Sequence, residues 1–308
     1  MMNNTQATAN PLGYEKIGKL LTSYAIPSII ALIINSLYNM VDQIFIGQGV
    51  GFLGNGATNI IAPIATITIA IATLFGDGLA AFFSLSLGKG EGEKAAKGLG
   101  TSIMFGSIFG IIWTALAFAF LKPLCLIFGA TENILPYALD YGRIIVLGFT
   151  FQIIGNTINS AIRTDGSPRY AMLAMMIGAI LNLILDPIFI FVFHWGVEGA
   201  AIATVASQLF GLLFNIAYLF RLKTIKLSRQ SFTLDIRTAG RIASLGFASG
   251  ANNLTSTVVA FVSNNLMTKY GALSVYGADI PLTTFGLCMK VSMLAFSIGI
   301  GVASGSQP

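Results

Sequence analysis

Charge is what this sequence has least of. Asp, Glu, Lys and Arg make up 9% of its 308 residues, against roughly 25% in ordinary soluble domains. A chain so poor in charge, with 55% hydrophobic residues and a mean hydropathy of +0.80, is not a water-soluble globule. It holds one histidine, His194, and two cysteines, Cys125 and Cys288, in different segments. That excludes a disulfide framework and any His/Cys metal cluster. The Gly-Lys-Gly-Glu-Gly-Glu-Lys run at 88–94 lacks the spacing and preceding strand of a phosphate loop. No nucleophile constellation or nucleotide motif appears, so the sequence offers neither an enzyme nor an organic cofactor. The formal charge of +5 is scattered between apolar segments, which argues against nucleic acid as a partner. Met1 to Gly13 is polar and uncharged, so no cleaved signal peptide is expected.

Apolar segments are abundant instead. Eight recur that are long enough to span a bilayer, near 20–46, 58–87, 98–121, 137–162, 170–193, 198–220, 241–268 and 281–304. The expected fold class is an all-α polytopic membrane protein. With the N-terminus in the cytoplasm, thirteen Lys and Arg, from Lys16 to Arg241, fall inside and only Lys122, Arg143 and Lys269 outside. That asymmetry sets the orientation. Most loops are short, but residues 223–240 form a long polar linker. It divides the chain into 1–222, six spans, and 241–308, two more. A gap-free shift of 223 places Gly76, Gly78 and Ala80 opposite Gly299, Gly301 and Ala303, and Asp42 opposite Asn265. The expectation is a parallel repeat of six-helix units.

Within this apolar frame a few polar residues carry the chemistry. Asn35, Tyr38, Asn39 and Asp42 occur at spacings of three and four, which stacks them on one helix face. A carboxylate at a membrane helix centre costs roughly 2.5–3.5 kcal/mol unless it has a partner. A second acid, Asp186, lies four residues after Asn182 and directly before Pro187. Pro187 leaves the Leu183 carbonyl without its helical donor, and Pro27 does the same to Ser23. Both prolines are therefore candidate bending points. Gln152, Asn156 and Asn159 in the fourth segment, and Thr204, Ser207 and Gln208 in the sixth, could complete an oxygen-lined cage. Two carboxylates with neutral oxygens, and no sulfur or imidazole, suit Na+ or a proton. Asp77, between two glycines, and Lys290, in the eighth segment, are auxiliary candidates. His194 beside Trp195 reads as an interfacial helix end.

Several stretches together resemble the multidrug and toxic compound extrusion (MATE) transporters, in particular the bacterial and archaeal DNA-damage-inducible branch. They are Ala-Ile-Pro at 25–27, Tyr-Asn-Met-Val-Asp-Gln-Ile-Phe-Ile-Gly at 38–47, Gly-Asp-Gly to Leu-Gly-Lys at 76–89, Asn-x-x-x-Asp-Pro at 182–187 and Gly-Ser-Gln-Pro at 305–308. The resemblance implies two six-helix lobes in the cell membrane that export small organic cations or drugs in exchange for Na+ or H+. The family's first-lobe cation site maps onto Tyr38, Asp42, Asn159, Asn182, Asp186 and Thr204. The choice of Asn159 over Asn156, and of Thr204 over Ser207, comes from the resemblance alone. Family members have twelve helices, so the resemblance also implies that helices nine to twelve are supplied elsewhere or missing. A lipid-linked precursor flippase of the same superfamily and a non-transporting fragment are the alternatives.

Overall fold

The computed structural model describes residues 17–305, and within them every regular element is helical. The helices are α1 (Ile17–Gly49), α2 (Phe52–Gly88), α3 (Gly92–Ala119), α4 (Leu121–Ile127), α5 (Leu135–Thr164), α6 (Pro168–Pro187), α7 (Gly196–Leu219), α8 (Ile236–Gly271) and α9 (Asp279–Gly305). Eight of them match the eight apolar segments: five enclose theirs, and α3, α6 and α7 start before theirs and end one to six residues short of it. The extra helix, α4, begins after the break at Phe120 and carries Lys122 and Pro123. Prolines occupy the first turns of α5 and α6, where the missing N–H costs no hydrogen bond.

Six helices are long and apolar enough to cross a membrane among the described residues: α2, α3, α5, α6 with its continuation to Val192, α7 and α9. These account for six of the eight expected spans. The 20–46 segment falls partly on side chains outside the described set, Asn35 and Pro27 among them. α8 has the length, 36 residues, but not the apolarity. Two of its four asparagines bond to other helices: Asn253 donates to Thr73 Oγ1 at 3.2 Å and Asn265 to the Ile127 carbonyl at 2.8 Å. Interior polar pairs of this kind lower a helix's hydropathy without exposing it to lipid. On α3 the opposite holds, and Phe109, Ile111, Ile112 and Phe118 point outward, as a lipid-facing stripe requires.

The interior is built on α2 and α5. Ile60, Ile61 and Ile64 of α2 pack with Val146 and Phe149 of α5 in one fully buried cluster. α8 then lies along α2, and α9 along α1. Both crossings are closest at glycines. A Cβ on Gly246 would sit 2.0 Å from the Leu74 carbonyl oxygen, and one on Gly301 would sit 2.7 Å from Ile29 Cα. Only glycine permits such approach. The 223-residue shift exchanges the two crossings, since it carries α1 onto α8 and α2 onto α9. Asn59 Nδ2 donates to the Leu282 carbonyl at 2.9 Å, a bond between positions 223 residues apart. This bond joins a residue to its own counterpart under the shift, which is where a two-fold axis between repeats would pass.

The polar stretch before α8 is held rather than free. Buried Asp165, at the end of α5, accepts hydrogen bonds from the backbone N–H groups of Lys223 and Thr224, the Thr224 hydroxyl and the Tyr218 phenol. Further on, Ser231 lies so close to α3 that a Cβ on Gly100 would meet its carbonyl oxygen at 2.1 Å. Asp235 caps α8 by accepting from the N–H groups of Arg237 and Thr238, and it pairs with Lys97 of α3. The Lys97 ammonium, with the Thr238 backbone and hydroxyl, holds the Asp235 carboxyl well below the usual aspartate range.

Candidate cation site

α1 and α6 bring the two acids together. Asp42 and Asp186 are 7% and 0% exposed, and their carboxyl groups lie within hydrogen-bonding reach of one another. Asn182, one helical turn before Asp186, donates through Nδ2 to Asp186 Oδ1 at 3.1 Å and reaches Thr204 Oγ1 of α7 at 3.4 Å. Asp42 Oδ1, Asp186 Oδ2 and Asn182 Oδ1 are each buried without a hydrogen-bond partner. Orphaned oxygens at a pair of like charges are costly unless a cation or proton joins them. The donor set, two carboxylates and an amide carbonyl, fits Na+ or a proton, and the described residues hold no cluster of three His, Cys, Asp or Glu side chains.

Proline explains how α6 presents this site. Directly after Pro187 the helix passes into a π turn, Ile188–Val192, closed by Phe193 N–H to the Ile188 carbonyl at 3.0 Å. A proline cannot donate to the carbonyl four residues back, and a widened turn is one way to restore pairing beyond it. His194 then takes a left-handed conformation, φ 57°, beside the packed rings of Phe189, Phe193 and Trp195. The widened turn also braces α1: Phe191 meets Phe45 edge-on, with ring centroids 6.0 Å apart, one turn from Asp42.

Two cavities lie among these helices; Asn182 and Thr204 line one of them, and neither acid is on the wall of either. One of about 190 Å³ is lined by Tyr38, Asn159, Asn182 and Thr204 together with Gln152, Asn156, Ser207 and Gln208. It therefore gathers most of the sequence-derived cage. Asn159 faces this cavity, but its Nδ2 donates to the Ala171 carbonyl at 3.0 Å rather than to the acids. A larger cavity of about 570 Å³ runs between α2, α5 and α6 on one side and α8 and α9 on the other, with Asp77, Arg163, Asn252 and three methionines on its wall. Asn159 and Asn156 line both.

Three residues near the acids were not among the sequence candidates. Gln43 Nε2 donates to Asp42 Oδ2 at 2.9 Å, and the Thr58 hydroxyl stands 2.7 Å from Gln43 Oε1. The spacing of four from Asn39 to Gln43 was a usable signal; Thr58 had none. Buried Tyr141 of α5 lies near enough to both acids and Tyr38 to interact with them electrostatically. Lys290 of α9, an auxiliary candidate, donates to Thr58 Oγ1 at 2.9 Å.

Known proteins resemble this chain in both sequence and fold. The family model MatE matches residues 27–188. The multidrug export protein MepA of Staphylococcus saprophyticus is 28% identical over 295 residues, which cover 90% of this chain and 64% of that protein. The MepA of Staphylococcus aureus strain MRSA252 is 27% identical with the same coverage. A solved MATE multidrug transporter, DinF-BH in a ligand complex, superposes with a TM-score of 0.89 at 30% identity, over 95% of this chain and 65% of that one. The chain thus spans about two thirds of the length of the proteins it matches, and over that span both sequence and fold make it a member of the MATE family.

Proposed function

We propose that this chain acts in a cation-coupled exporter, a multi-pass protein of the cell membrane with its N-terminus in the cytoplasm, which moves small organic cations or drugs out against Na+ or H+. The observation that carries the reading is the pair Asp42 and Asp186, buried in mutual reach with an unpartnered oxygen on each. Two carboxylates so close in low dielectric cannot both ionise cheaply, so the site takes up a proton or Na+ and the two compete. Asn182 supplies a third oxygen, Thr204 backs Asn182, and Tyr38 and Asn159 line the approach.

The cavity of about 570 Å³ has the size of a drug-sized ligand site. Asp77 gives it a carboxylate for a cationic group, and Met172, Met175 and Met293 give a wall that adapts to different apolar shapes. A flippase for lipid-linked pyrophosphates would need several cationic groups there; among the described lining residues there is one, Arg163, opposed by Asp77. Residues 1–222 and 241–308 are read as belonging to two repeats, joined by 223–240, and the exchange of the two glycine crossings supports this. Occupancy of the site would be transmitted by bending at Pro27 of α1 and Pro187 of α6.

The test is transport in liposomes. Uptake of a fluorescent organic cation driven by an imposed Na+ or H+ gradient is expected for this chain joined to helices nine to twelve of an intact relative, and is lost, by roughly a hundredfold or more, for the Asp42→Asn and Asp186→Asn variants of that protein, which insert normally. Gradient-driven uptake by either variant at the native rate would remove the acids from the mechanism.

A further inference from the structure

Beyond the acids themselves, a line of hydrogen bonds crosses from one repeat to the other. It starts on α9, where the Lys290 ammonium donates to Thr58 Oγ1 of α2 at 2.9 Å. The Thr58 hydroxyl stands 2.7 Å from Gln43 Oε1 of α1, and Gln43 Nε2 donates to Asp42 Oδ2 at 2.9 Å. The Thr58 hydroxyl has one proton and two acceptors in reach, Gln43 Oε1 and the Asn55 carbonyl at 2.9 Å; with the proton on the Gln43 side, the order Lys290, Thr58, Gln43, Asp42 is continuous. Gln43 is 6% exposed and Thr58 5%, and Lys290 interacts electrostatically with Asp42. A lysine inside a membrane helix is as costly as a carboxylate and persists where it has a counter-charge.

We propose that Lys290 is the resident cation of the carboxylate site, joined to Asp42 through Thr58 and Gln43, and that it limits the site to one monovalent ion at a time. Charge accounting supports this. Asp42 and Asp186 bring two negative charges when both are ionised, and Lys290 brings one positive charge. One negative charge remains, and one Na+ or one proton neutralises it. A divalent ion, or two monovalent ions, would leave excess positive charge in low dielectric, where it is expensive. The hydrogen bonds fix which carboxylate the lysine serves: Asp42 Oδ2 is engaged, leaving Asp42 Oδ1 and Asp186 Oδ2 as the oxygens open to the mobile ion. Lys290 thus positions and biases the site without touching the transported cation. Because it belongs to α9, it also makes the charge state of the first repeat felt by the second.

The inference rests on the reading of Asp42 and Asp186 as the cation site, and one set of measurements separates the two. The native chain in lipid nanodiscs is titrated with radiolabelled Na+, then with Ca2+ as competitor, alongside Lys290→Met, Lys290→Arg and Thr58→Val. One Na+ per chain is expected for the native protein, displaced by protons and indifferent to Ca2+. Lys290→Met should bind Na+ at least about tenfold tighter and become sensitive to Ca2+ or take a second Na+. Lys290→Arg, which keeps the charge, should behave as the native chain does. Thr58→Val should shift affinity in the same direction as Lys290→Met, and combining the two should add nothing further. Thermal unfolding of each variant checks that α9 still packs. If the native chain binds Na+ and Lys290→Met binds it with the same affinity, stoichiometry and Ca2+ indifference, the resident-cation proposal fails while the acid site stands. If the native chain shows neither Na+ binding nor competition with protons, the acid-site reading falls and this proposal with it.

Discussion

At the scale of single residues, the same carboxylate does different work according to its surroundings. Asp42 and Asp186 keep unpartnered oxygens in the interior, whereas Asp165 and Asp235 are saturated with donors. The saturated ones hold structure. Asp235 ties the start of α8 to Lys97 on α3, and its carboxyl is held below its ordinary value first by that ammonium and then by Thr238. A carboxylate with a depressed pKa contributes stability that is present above its unfolded value, about 4, and lost as pH falls below it. Asp235→Asn should therefore melt at a lower temperature than the native chain at pH 7. The gap should narrow steadily once the pH drops below about 4. A gap that stayed constant down to about pH 2.5 would mean that the Lys97 pair does not hold α8 in place.

At the scale of elements, α6 shows how one residue sets the course of a helix. Pro187 removes a donor, and the chain answers with a π turn that re-aims Phe191 onto Phe45 of α1. Pro187→Ala returns an N–H to the Leu183 carbonyl and allows the α-helix to continue. Dropping the extra residue of the π turn would rotate the downstream residues by about 100°. The variant is expected to be more stable by about 1–3 kcal/mol, because an interior proline is a helix cost. It should also bind Na+ more weakly, because the brace between α6 and α1 beside Asp42 is lost. Melting temperature and Na+ affinity should move in opposite senses; if both rise, the π turn has no part in shaping the site.

For the molecule as a whole, α8 and α9 approach α2 and α1 most closely at glycines, and a few directed hydrogen bonds join them. Gly78 and Gly246 bring α2 against α8, Gly301 brings α9 against α1, and Asn59 bonds Leu282 where the two sets meet. At the start of α9, Asp279 accepts from Thr131 and Asn133 of the segment between α4 and α5. Gly246→Val would force α8 away from the Leu74 carbonyl and should cost at least about 1–3 kcal/mol, as overpacking does. Gly301→Val should cost a similar amount against Ile29. An unchanged melting temperature for Gly246→Val, measured on purified protein, would contradict the close crossing. Similar losses from both substitutions would be consistent with the repeat; a large loss from one alone would not.

Composition and residue spacing were enough to read an all-helical membrane protein, its helices to within about two turns at each end, and the acids Asp42 and Asp186 with Asn182 beside one of them. These are local or additive properties. Apolar length reports what crosses a bilayer, and a charge inside it is conspicuous against its neighbours. The tertiary structure decided what spacing along one helix cannot contain: that α1 and α6 set the two carboxyls face to face, and that Asn159 turns its amide to Ala171. It also decided that Lys290, 248 positions beyond Asp42 in the chain, reaches Asp42 through Thr58 and Gln43. α8 stands between the two. Its length was legible, but its polarity was explained only when Asn253 and Asn265 found partners on other helices. Pairing across helices is a property of packing, and no periodicity within a single segment records it.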